Sequence, residues 1–166
     1  MKQKLTHWTD KKFKEKMING NGEFRPTSVP SKFKENIKPI GFWLSVDNSW
    51  ERWLKGNWDS WLKEKICLNV ELSKDIKLFV IKGKKQFLEE FKKVTGKDYM
   101  RLGIGKWMLQ KFHKKLRKKY DGIYLLSEPF YRHRLDDGFM YFYPWDCESI
   151  YVWNKKKIKF IEDMEK

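Results

Sequence analysis

The apolar residues of this chain come in short blocks closed by Gly, Pro, Asn, Asp or Lys, and that punctuation limits the fold more than any other feature. Ile66, Leu68, Val70 and Leu72 alternate with polar neighbours, apart from Cys67, as in a strand with one buried face. Further strand-like blocks lie at residues 5–9, 40–45, 77–81, 123–126, 139–143 and 149–153. Between them, residues 11–17, with Asp10 as N-cap, 85–94 and 106–119 read as helices, and another opens at Asn48. Asn48 with Glu51 fits a capping box, in which each side chain satisfies an orphan backbone N–H. That helix places Trp50, Trp53, Leu54, Trp58, Trp61 and Leu62 in one apolar sector, while Gly96 closes the helix at 85–94. In the last helix Met108, Phe112, Leu116 and Tyr120 recur at a spacing that buries one stripe. Residues 19–39, with Pro26, Pro30 and Pro39, show no periodicity and read as a long loop. Short strands interrupted by three or four helices give an α+β fold, and 166 residues suit a single domain.

Composition removes several classes. An aromatic fraction of 17% is the opposite of a disordered tail, and no window approaches the roughly 18 apolar residues of a membrane span. Cys67 and Cys147 allow at most one disulfide. With no CxxC and with His7, His113 and His133 scattered, no metal site is expected. The basic N-terminus lacks the apolar core of a secretion signal, so a cytoplasmic, reducing compartment is the default.

A formal charge of +15 favours a polyanionic partner, nucleic acid first, against the plainer reading of a Lys-rich surface that keeps the chain in solution. Lys111, Lys114, Lys115 and Lys118, with Arg117 and Lys119, form the outer face of the last helix. Arg132 and Arg134 flank His133 in a loop, and residues 155–166 form a basic C-terminal tail. These are the candidate nucleic-acid contacts, because Lys and Arg hold phosphates without reading sequence. No Walker loop, GxGxxG, HExxH or nucleophile elbow is present. Leu102, Gly103, Ile104 and Gly105 before Lys106 lack a phosphate loop's spacing and read as a loop leading into a helix. The aromatic strands lack the basic-Gly-aromatic run of an RNA-binding sheet, which favours core packing for them.

Three segments form a more specific constellation. His7, Trp8 and Thr9 make a His-x-Thr run on the first strand; Gly41, Phe42, Trp43, Leu44 and Ser45 make an aromatic strand leading into an aromatic helix; Glu148 stands at the start of a late strand. In this order they resemble the His-Tyr-Glu branch of the ADP-ribosyltransferase superfamily, which includes diphtheria toxin and the poly-ADP-ribose polymerases. The resemblance touches short segments but spans residues 7–148, and it departs from the family where Trp43 replaces the stacking Tyr.

The resemblance implies a split β-sheet core flanked by helices, with one catalytic domain over residues 1–154 and NAD as donor substrate. His7 and Thr9 would hold the ribose, while Gly41, Trp43, Trp50 and Trp53 would line the nicotinamide. Glu148, or Asp146 if the register shifts by two, would oppose the oxocarbenium charge of the breaking nicotinamide–ribose bond. Ser45 would orient these groups. The implied activity is transfer of ADP-ribose to a macromolecule, nucleic acid before protein, as in a toxin or a phage host-modifying factor. Two alternatives stand beside it: a non-catalytic nucleic-acid-binding module, and a relative of the NAD-consuming RNA 2′-phosphotransferases. The transferase reading requires His7, Trp43 and Glu148 to line one cleft.

Overall fold

The computed structural model describes residues 3–19, 41–55, 60, 63, 65–99, 106–126 and 147–162. Seven strands, β1 (Leu5–Asp10), β2 (Phe42–Val46), β3 (Lys65–Leu72), β4 (Leu78–Ile81), β5 (Gly122–Leu125), β6 (Ser149–Val152) and β7 (Ile158–Glu162), form one sheet in the order β4-β5-β6-β2-β1-β3-β7. Only β4 and β5 run parallel. A parallel pair needs a long crossover, supplied here by helices α3 (Lys84–Thr95) and α4 (Lys106–Leu116). The shorter α1 (Lys14–Ile18) and α2 (Ser49–Leu54) follow β1 and β2. The fold is α+β, as the punctuated sequence implies.

Two apolar layers sandwich the sheet. On one side Phe87 and Phe91 of α3 and Phe112 and Leu116 of α4 close over Phe79, Ile81, Ile123, Leu125 and Tyr151. The rings meet edge-on, with Phe87 and Phe112 centroids 5.6 Å apart at 76°, a favourable aromatic arrangement. On the other side Met17 of α1 packs with Phe42, Leu44, Val46, Leu68, Val70, Ile150, Val152 and Phe160. The alternation in β3 holds, since Leu68 and Val70 are buried while Glu71 is exposed.

Three expectations are corrected. Residues 158–162 are not a tail: Ile158 to Glu162 pair with Leu72 to Leu68 of β3, and Phe160 enters the core. Asn48 makes no side-chain cap and sits in the left-handed region at φ 60°; Ser45, in the preceding strand, instead accepts the Trp50 N–H at 3.1 Å. Asp10 likewise caps nothing and is bound to Lys65. The expected aromatic strand at 139–143 and the loop at 19–39 lie outside the described residues, apart from Asn19. Cys67 and Cys147 form no disulfide with each other.

The joint between β1 and β2 is narrow. Only Leu5↔Val46 and Thr6↔Ser45 pair there, whereas β1 and β3 pair over five positions from Thr6↔Asn69 to Asp10↔Lys65. Beyond Thr6 the backbone of β1 leaves β2, and the His7 ring takes over the bridge by bonding the Trp43 carbonyl. Among the described residues no helix is long and apolar enough to cross a membrane.

Candidate functional site

The strands carrying the three sequence motifs are neighbours, since β6, β2 and β1 stand side by side at the centre of the sheet. Their side chains divide between its two faces. Directly paired residues share a face and successive residues alternate, so Thr6, Ser45 and Ser149, aligned across β1, β2 and β6, point one way together with Trp43. His7 points the other way, against Phe42 and Phe160, with ring centroids 5.7 and 5.5 Å away. Burial lowers its pKa against the smaller opposing effect of the Trp43 carbonyl, so the imidazole is neutral and its Nδ1–H donates to that oxygen at 2.8 Å. Thr9 lies half-buried opposite Ile66.

Glu148 lies apart from Trp43. Its Oε1 accepts the Tyr124 hydroxyl at 2.5 Å, and the Tyr124 oxygen accepts the Gln3 amide at 2.8 Å. Tyr124 is paired with Ile150 and joins the α1-side core, so Glu148 is on His7's side of the sheet. Between those two residues β2 intervenes, with Leu44 and Ile150 buried side by side. Burial first, then the Glu148 bond, raises the Tyr124 phenol to about 12. His7 and Glu148 therefore share one face of the sheet and Trp43 lies on the other, so the three side chains do not line one cleft.

The remaining expected residues have structural work. Gly41 cannot carry a side chain, because a Cβ there would lie 2.4 Å from the Val152 carbonyl oxygen and 2.7 Å from the Tyr151 hydroxyl. Trp43 packs on Tyr151 at 4.9 Å between centroids. Trp50 donates its indole N–H to Ser149 at 3.0 Å, and Trp53 lies half-buried on the same helix. Ser45 also contacts Ser49 and donates to Glu51, each at 3.3 Å, while Ser49 donates to the Glu148 carbonyl at 2.6 Å. These bonds fasten α2 onto the polar row of the sheet. Arg132, Arg134 and Asp146 lie outside the described residues.

The basic residues come together more fully than the sequence suggested. Lys111, Lys114, Lys115 and Lys118 are exposed, although Lys115 spends its ammonium on the Val94 carbonyl at the end of α3. Asp121, just past α4, is the organiser. Its carboxylate accepts the Lys77 N–H at 2.9 Å and the Asn154 amide at 2.6 Å, and its carbonyl accepts the Trp153 N–H at 3.0 Å. The Trp153 indole N–H donates to the Tyr120 carbonyl at 2.8 Å, and the Arg117 guanidinium lies 5.6 Å from the Trp153 ring. Asn154 then accepts the Lys156 N–H at 3.2 Å and shapes the turn at Lys155–Lys157. The junction thus joins the turn after α4, which carries Arg117, Lys118 and Lys119, to the turn that follows Asn154, which carries Lys155 and Lys156, and of these five only Lys155 is half-buried.

Asp121 and Trp153 organise this corner. The sequence signal was the pairing of a helix stop, Asp121 with Gly122, and a strand end, Trp153 with Asn154, each followed or preceded by a lysine run. Comparison with models of known families, with curated proteins and with solved structures found no match to this chain.

Proposed function

We propose that this domain binds the phosphate backbone of a nucleic acid through the basic corner formed by the turn after α4 and the turn after β6. The observation that carries the reading is the Asp121 junction, which joins the segment after Arg117, Lys118 and Lys119 to the segment before Lys155 and Lys156. Cations held on a fixed frame lose less freedom on binding than the same cations on a loose tail. Lys111 and Lys114 extend the same surface along α4. Contacts of this kind position a backbone and carry no base information.

The test is fluorescence anisotropy with labelled duplex and single-stranded oligonucleotides across a salt series. About four phosphate contacts give a slope of about −3.6 in log K against log salt on duplex, a loss of roughly 100-fold from 50 to 200 mM salt. Lys118→Glu with Lys156→Glu should weaken binding at least tenfold and flatten the slope. Salt-insensitive binding, or an unchanged affinity in the double variant, overturns the reading.

A further inference from the structure

Arg117 differs from the lysines of the basic corner in being held as a plane. It stands in the turn after α4, where its N–H donates to the His113 carbonyl at 2.9 Å, and it is exposed to solvent. Its guanidinium lies over the Trp153 ring, 5.6 Å from the centroid, and hydrogen-bonds the hydroxyl of the buried Tyr151. Trp153 is itself pinned. Its backbone N–H donates to the Asp121 carbonyl at 3.0 Å, its indole N–H to the Tyr120 carbonyl at 2.8 Å, and its ring centroid lies 6.1 Å from that of Tyr151. A flat cation is thus backed by an aromatic ring while still meeting solvent.

Lys118, Lys119 and Lys156 carry point charges on flexible stems, suited to a phosphate and to little else. A guanidinium can meet a phosphate too, but its plane also stacks on a nucleobase. The Trp153 indole N–H is spent inside the protein, so the backing ring brings no donor with which to read a base edge. Stacking of this kind tolerates any base. In a closed duplex both faces of each base are covered by its neighbours, so such a platform serves only a base that has left its stack. We infer that Arg117, backed by Trp153, is the stacking platform for one base, and that the substrate of the basic corner is a nucleic acid strand with unpaired bases. This rests on the phosphate-binding reading above and adds to it the state of the strand.

Fluorescence anisotropy of the whole chain with a mixed-sequence DNA strand and with an abasic strand of equal length tests this, because the two carry the same phosphates and differ only in their bases. The base-bearing strand should bind at least about fivefold more tightly at the same salt, the low end of what one stacked base contributes. Arg117→Lys keeps the charge and removes the plane, so the ratio between the two strands should fall to about one. Equal binding of the two strands by the unaltered protein, with the salt dependence intact, overturns the inference and leaves the phosphate reading standing. A ratio unchanged in folded Arg117→Lys overturns the assignment to Arg117, and binding of neither strand overturns both readings. The abasic comparison uses the unaltered protein and decides the matter even if the variant misfolds.

Discussion

His113 makes the stability of this domain dependent on pH in a predictable direction. The residue sits on α4 beside Phe112 and is 5% exposed, beneath the face that carries the lysines. Burial, helped by the Arg117 charge, lowers its pKa from 6.5 to about 3. The folded state therefore holds His113 neutral, whereas the unfolded chain takes up a proton near 6.5. The stabilising contribution is complete above pH 6.5 and is lost as pH falls toward 3. Between pH 6.5 and 5 the loss is about 2 kcal/mol, at about 1.4 kcal/mol per unit, a large share of the roughly 5–15 kcal/mol of a typical domain. His7 acts with the same sign, so the comparison must isolate one residue. Urea unfolding of the wild type and His113→Gln at a series of pH values does so, because every other group cancels in the difference. The gap between the two proteins should change by about 2 kcal/mol from pH 7 to 5. A gap that stays constant over that range refutes the reasoning.

Other outcomes follow from single contacts. Gly41→Ala drives a methyl into the Val152 carbonyl and the Tyr151 ring, and should lower stability by about 1–3 kcal/mol or more in denaturant unfolding. Tyr124→Phe removes the hydroxyl that Glu148 accepts, with an expected loss of about 1–3 kcal/mol in the same assay. In the intact protein, spectrophotometric titration should find one phenol near 12, and the stability from Tyr124 should be present below pH 10 and lost as pH rises through 12. Phe87→Ala opens the fully buried aromatic layer under α3 and should cost about 3–5 kcal/mol, read as a fall in Tm.

Local pattern made much of the fold legible. The alternation of Ile66 to Leu72 defines a strand, and Gly96, at φ 77°, ends α3 where the periodicity stops. The β7 strand was hidden by its lysines, although Lys159 and Phe160 alternate outward and inward as an edge strand should. Capping failed at Asn48 because the donor to be satisfied, Trp50 N–H, is reached by Ser45 from the strand before the turn. The candidate site was less legible for a physical reason. Sequence order put His7, Trp43 and Glu148 on three strands that do adjoin, but which face each shows depends on register between strands far apart in the chain. A slip of one residue moves a side chain to the opposite face. The Thr6 and Ser45 pairing, which sets the register of β1 on β2, leaves His7 and Trp43 back to back. The basic corner was half legible, as two lysine runs whose meeting depends on Asp121.

The two-pair joint between β1 and β2 divides the sheet into wings, β4-β5-β6-β2 on one side and β1-β3-β7 on the other. Within each wing every neighbouring pair of strands is held by four or five aligned positions. The seam has two, supplemented by the Lys4 and Asp47 backbone bond at 2.9 Å and by the His7 bridge. Breaking the chain's cooperativity therefore takes least work along this line. Amide exchange should be fastest there among the central strands, and because His7 spans the seam, acid that protonates its ring would loosen the junction before either wing comes apart.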